Sequence, residues 1–90
     1  MLLLDGGLEL HIAEYVVTEP ELSRAKYRYH PQEADGSLVA RWDNAPHHRA
    51  LSGFPHHCHD NDGGVYPTQP MGLGDVLKEV IPFVIAALGA

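Results

Sequence analysis

Apolar and polar positions alternate along the first third of the chain and again in two short stretches, and only the end of the chain carries helical spacing. Residues 1–4 are apolar and are closed by Asp5-Gly6-Gly7, a turn signal because glycine accepts positive φ. Leu8, Leu10 and Ile12 then alternate with Glu9, His11 and Ala13, so residues 8–17 read as the second arm of a hairpin. Thr18-Glu19-Pro20-Glu21 ends that arm, since proline cannot donate to a ladder. Residues 25–32 and 38–43 are the next two strand candidates, joined across Ala34-Asp35-Gly36-Ser37. With Asp35 and Gly36 at the centre of a tight type I′ turn, His30 faces Arg41, Arg28 faces Asp43 and Tyr29 faces Trp42.

That register sorts the side chains by chemistry. Arg28, His30, Gln32, Val39, Arg41 and Asp43 share one face, and Tyr27, Tyr29, Pro31, Leu38, Ala40 and Trp42 share the other. Tyr27, Tyr29, Leu38 and Trp42 are therefore expected to be buried, with Arg28, His30, Arg41 and Asp43 presented. Residues 44–74 show no period and several breakers; a loop of that length in a small domain is usually functional. Gly74-Asp75 opens a helix that runs to about residue 88, with Asp75 as its cap. Val76, Leu77, Val80, Ile81 and Val84 form its apolar stripe, and Pro82 is expected to bend or end it. The pattern predicts one α+β domain over residues 1–90, an antiparallel sheet of about four strands with the C-terminal helix packed on its apolar face.

The formal charge of -6 argues against a nucleic-acid binder, but its distribution changes that picture. Residues 1–23 carry acids and no base, whereas Arg24, Lys26, Arg28, Arg41 and Arg49 outnumber Glu33, Asp35 and Asp43 in the middle of the chain. Six of the seven histidines lie there too. Cys58 is the only cysteine, so no disulfide forms within the chain, in keeping with a cytoplasmic location. The apolar N-terminus lacks the basic flank of a signal peptide, and the apolar run after Val80 is shorter than the ~20 residues that span a bilayer.

Three dense segments carry the candidate chemistry: Tyr27-Arg28-Tyr29-His30, Arg41-Trp42-Asp43-Asn44-Ala45-Pro46-His47-His48, and Phe54-Pro55-His56-His57-Cys58-His59. Histidine suits proton transfer because it titrates near working pH, and the arginine fork matches phosphate oxygens. His30, Arg41, Asp43, His47, His48, His56 and His57 are the catalytic candidates, and Arg28, Asn44 and His59 the substrate-binding ones. Taken singly, a polar strand face is more often a solvated face, and Asp-Asn-Ala-Pro more often a turn. Five histidines between His47 and His59 weigh against that reading for the group.

In this order and spacing, the segments from Tyr27 to His59 resemble the TumE family of toxins. The family pattern is a tyrosine-rich strand ending in His, an Asp-Gly turn, a strand running into Asp-Asn-Ala-Pro-His-His, and a Pro-His-His-x-His element. Cys58 departs from it, standing where the family tends to have a basic residue, and so does Pro82. The resemblance implies a toxin of a toxin–antitoxin pair, held inactive by a cognate antitoxin that is often DNA-binding. It further implies an endoribonuclease acting on RNA to block translation, with no cofactor, and leaves a homodimer open. Metal binding is the rival use of the histidines: His57 and His59, two apart, point the same way in extended backbone and would bind zinc or nickel with further ligands, Cys58 being a soft donor beside them.

Overall fold

The cleanest alternation produces the longest strands. The computed structural model describes residues 1–89 and contains β1 (Leu2–Leu3), β2 (Glu9–Val17), β3 (Ser23–Gln32), β4 (Ala40–Asp43), β5 (His57–Asp60), β6 (Val65–Pro67) and α1 (Leu73–Gly89), with a 3₁₀ turn at Asp5–Gly7. The strands form one antiparallel sheet in sequence order, each pairing with the next. The α+β class and the C-terminal helix stand as expected. The sheet has six strands rather than about four, because β5 and β6 lie inside the stretch read as a loop. Each is too short to show a period, and β5 is built of His57-Cys58-His59-Asp60, residues with little strand preference.

Arg28 pairs with Asp43 and Tyr29 with Trp42, the register expected from sequence. The turn that sets it differs. The backbone of Gly36 donates to the Glu33 carbonyl and that of Glu33 to the Ser37 carbonyl, so Ala34 and Asp35 are the central residues. Gly36 follows at φ +90°, where the left-handed backbone favours glycine. Gln32 consequently bridges Leu38, one residue out of step with the Tyr29–Trp42 pair. One extra residue on the β4 side before Trp42 restores the step, as a bulge does.

The two faces separate as the alternation dictates. Leu10, Tyr27, Tyr29, Ala40 and Trp42 from the sheet and Val76 and Val80 from α1 make one apolar core. Leu38 is only half-buried, at the hairpin end beyond the helix. Asp43, expected on a presented face, is only 5 % exposed. Tyr29 lies inside but its hydroxyl does not go unpaired: it donates to Glu14 and accepts from Arg24 Nη1 at 2.7 Å. Burial and the Glu14 bond push that phenol up to about 12.

Two helix details depart from expectation. Asp75 caps from inside: its Oδ2 accepts the Gly72 backbone N–H at 2.9 Å, the reach-back half of a capping box, and the helix begins at Leu73. Pro82 does not end the helix; α1 continues to Gly89. Proline cannot donate to the carbonyl four residues back, at Lys78, and both residues are exposed to solvent. The last turns rest on the 3₁₀ turn, where a Cβ on Gly6 would stand 2.7 Å from that of Ala87. Ile81, Phe83, Ile85 and Leu88 remain exposed there. Among the described residues no helix is long and apolar enough to cross a membrane.

Removing a side chain from the core should therefore cost far more than removing one from the helix end. Leu10→Ala is expected to lose about 2–5 kcal/mol, the usual range for a buried leucine. Ile85→Ala should stay within about 0.5 kcal/mol, as exposed substitutions do. Urea unfolding of both variants decides this, and equal losses would contradict the assigned core.

Candidate active site

The face away from the helix carries the candidate chemistry in rows. Ala13, Arg28, Asp43, His57 and Pro67 are successive cross-strand partners from β2 to β6. In the next row Arg41 stands opposite His59, and His59 opposite Val65. His57 and His59 share this face because they are two apart in a strand, while Cys58 between them turns to the core beside Trp42. Burial pushes the Cys58 thiol up to about 11. That orientation removes Cys58 from the expected metal set.

Asp43 is the hub. Its Oδ2 accepts from Arg41 Nε at 3.0 Å, and its Oδ1 accepts from the Ala45 backbone N–H at 3.0 Å and lies 2.9 Å from His57 Nε2. The other nitrogen of His57 lies 2.8 Å from the Pro55 carbonyl. The ring thus lies between two acceptor oxygens, and its Nδ1–H makes the bond to Pro55. At 2 % exposure, His57 is buried against a buried carboxylate.

His59 is arranged in the opposite sense. Arg41 Nη2 lies 3.0 Å from His59 Nε2, and since the guanidinium only donates, that nitrogen accepts and the ring is neutral. Burial first, then the nearby Arg41 charge, hold His59 below the usual histidine range, against a smaller upward pull from Asp43. The 3.7 Å approach of His59 Nε2 to Asp43 Oδ2 is thus proximity rather than a hydrogen bond.

The loop after β4 brings the third imidazole. Asp43 and Asn44 form the turn that the Asp-Asn-Ala-Pro run suggested. Asn44 spends its amide on the strand: Oδ1 accepts from the Tyr27 N–H at 2.9 Å and Nδ2 donates to the Ala25 carbonyl at 3.1 Å. It completes the ladder with a side chain and frees the main chain to leave. His48 is exposed with φ +58°, a left-handed conformation uncommon outside glycine. Its ring centre lies 5.2 Å from that of His57 and 5.7 Å from that of His59.

An open cleft of about 760 Å³ results, lined by Arg28, Arg41, Asp43, Asn44, His47, His48, His57 and His59 among others. Of the sequence candidates, His30 and His56 do not line it. His30 faces His11 on the neighbouring strand, its Nε2 buried without a partner among the described residues. His56 hydrogen-bonds through Nδ1 to the Tyr27 hydroxyl at 2.7 Å. Burial lowers both rings below the usual histidine range. Lys26 and Phe54 also line the cleft and had not been singled out. Lys26 was within reach of the strand period, two before Arg28; Phe54 was not, since only the loop's path brings it there.

The fold and cleft define a small antiparallel-sheet protein whose polar face gathers three imidazoles and two guanidinium groups around a buried carboxylate. The family described as Toxin TumE matches residues 2–88, nearly the whole chain and well beyond the motif-bearing third. The chain belongs to the TumE toxin family and is a toxin of a toxin–antitoxin system. No curated protein and no solved structure matches it.

Two outcomes follow from the electrostatics. Asp43→Ala removes the acceptor of Arg41 Nε and of the Ala45 N–H and should cost about 1–3 kcal/mol in chemical unfolding at neutral pH, the usual consequence of leaving buried donors unpaired. A loss under 1 kcal/mol would show that the carboxylate is not held as described. His30, His56 and His59 are all depressed in the fold, so below about pH 6.5 the unfolded chain binds more protons at these sites than the folded one. Their contribution is present above that pH and is lost as pH falls through the folded values. Midpoint temperatures should therefore drop between about pH 7.5 and 5.5, and a rise over that interval would reverse the assignment.

Proposed function

We propose that the toxin is a metal-independent endoribonuclease that blocks translation and is neutralised by a cognate, DNA-binding antitoxin. The observation that carries the reading is the shared position of Arg41, which binds both the Asp43 carboxylate and His59 Nε2 at the edge of the cleft that His48 overhangs. A phosphate of single-stranded RNA would take the outer face of the Arg41 fork, which is matched to phosphate oxygens. Arg28 and Lys26 on the neighbouring strand add positive charge along the cleft wall.

Drawing Arg41 Nη2 onto phosphate releases the lone pair of His59 Nε2. His59 then accepts the proton of the ribose 2′-hydroxyl as its oxygen attacks phosphorus, and His48 donates a proton to the departing 5′-oxygen. The products are a 2′,3′-cyclic phosphate and a 5′-hydroxyl, with no atom unaccounted for. His57, held between Asp43 and Pro55, shapes the cleft floor rather than carrying a proton. His47, at the rim, and Asn44, bound to the strand, have no part in the proton transfers. None of the acidic residues before Ser23 lines the cleft, and their surplus of charge suits a basic partner.

The assay is cleavage of single-stranded RNA by purified protein in excess chelator, with product ends read by mass spectrometry. His48→Ala and His59→Ala should each slow cleavage by about a hundred- to ten-thousand-fold, the usual worth of acid–base help. They should also relieve the growth arrest caused by expression without antitoxin. Full toxicity in a variant with His47, His48, His56, His57 and His59 all replaced would overturn the reading. Absence of cleavage alongside tight antitoxin binding would make the histidine segment an interface.

A further inference from the structure

We propose that His48, His57 and His59 form a binding site for a borderline transition-metal ion of the zinc or nickel class on the floor of the cleft. One ring nitrogen from each of the three lies within 4.8 Å of the other two. The rings meet edge to face, with centroid separations of 4.8 Å for His57–His59, 5.2 Å for His48–His57 and 5.7 Å for His48–His59, so their nitrogen-bearing edges converge instead of stacking. Imidazole nitrogen suits zinc and nickel, whereas magnesium and calcium prefer oxygen.

The surroundings are those a ligated histidine needs. His57 Nδ1 donates to the Pro55 carbonyl, which leaves Nε2 as the inward atom. Such a bond from the second nitrogen is the usual support of a metal-bound imidazole. Asp43 stands at the back of the triad, its Oδ1 2.9 Å from His57 Nε2 and its Oδ2 3.7 Å from His59 Nε2. Asp43 is not among the converging groups, so its carboxylate stands behind the two rings as a support rather than as a ligand. His48 is exposed and closes the triad from the solvent side, and the open cleft supplies the path in.

Loading the site requires three adjustments. The ring nitrogens draw together from within 4.8 Å, since donors about 2.0–2.2 Å from a tetrahedral ion stand roughly 3.4 Å apart. His57 Nε2 is left without a proton, as ligating imidazole nitrogens are. Arg41 Nη2 also withdraws from His59 Nε2; its side chain is 34 % exposed and has solvent to turn into. One consequence rests on the ribonuclease reading: the nitrogens that hold the ion include those that would move protons, so occupancy inhibits cleavage.

The experiment titrates the metal-free full-length chain with zinc chloride against a chromophoric chelator and follows the thermal midpoint in parallel. One zinc per chain and a raised midpoint are expected. His48→Ala and His59→Ala should each weaken binding by about a hundredfold or more, since loss of an outer-shell partner alone costs 10–100-fold. His47→Ala should bind as the parent does, and magnesium should not compete. These two ligand variants are used because His57 is buried and its removal threatens the fold. Absence of binding, or unchanged binding in the double variant His48→Ala/His59→Ala, overturns the site. RNA cleavage at zero and saturating zinc is then a separate readout. A rate that falls with occupancy supports the inhibition, and an unchanged rate overturns it. Cleavage that requires zinc overturns both the inhibition and the metal-free mechanism but leaves the site standing. No cleavage under either condition removes the ribonuclease reading without touching the binding result.

Discussion

A carboxylate held away from water in the middle of a sheet must be met by donors, because an uncompensated buried charge costs several kcal/mol. Asp43 is met from three directions: by Arg41 two residues earlier on its own strand, by His57 on the next strand and by the Ala45 N–H of the loop that follows. Each bond also fixes something else. The Ala45 bond turns the chain out of β4 and over the polar face. The His57 contact, 2.9 Å from Asp43 Oδ1, sets the imidazole of β5 beside the carboxylate of β4. The Arg41 bond through Nε leaves Nη2 directed at His59. Without the carboxylate, the Arg41 guanidinium and the Ala45 N–H would lose their acceptor, and the cleft would have no fixed floor.

The same strands serve two masters by period. Tyr27, Tyr29 and Trp42 close the core against Val76 and Val80, while Arg28, Arg41 and Asp43, their neighbours in the chain, build the cleft on the reverse side. Core and cleft are thus separated by the thickness of one sheet. A 90-residue chain has little stability to spare, and here the residues that fix the site are also residues that hold strands together. Asn44 shows the economy most plainly: its amide replaces a rung of the ladder, so the strand can end and the histidine loop begin without orphaned backbone groups on β3.

His57 and His59 illustrate how adjacency in a strand yields different chemistry. They are the same residue type, two positions apart and on one face, yet one contacts only acceptors and the other accepts from an arginine. The difference comes from which row of the sheet each occupies, opposite Asp43 or opposite Arg41. One imidazole is thus fixed and the other is open to the cleft. Their convergence is what a metal ion would exploit.

Local pattern alone determined a good deal. Alternation placed the two long strands and sorted Tyr29 and Trp42 from Arg28 and Asp43, because strand period is two whatever the partner. The apolar stripe placed the helix, and the run from Asp43 to His48 with Pro55-His56-His57 was enough to point to the toxin family. What failed was whatever depends on pairing. β5 and β6 are short, and β5 is polar; they are strands because β4 offers an edge for β5 to pair with and β5 in turn offers one to β6. The turn centre moved because backbone bonds chose Ala34-Asp35 and a compensating bulge. The burial of Asp43, the separation of His30 and His56 from the cleft, and the gathering of His48 with His57 and His59 belong to the tertiary structure. Each depends on contacts between segments far apart in the chain, and a pattern read along one strand carries no information about which row lies beside it.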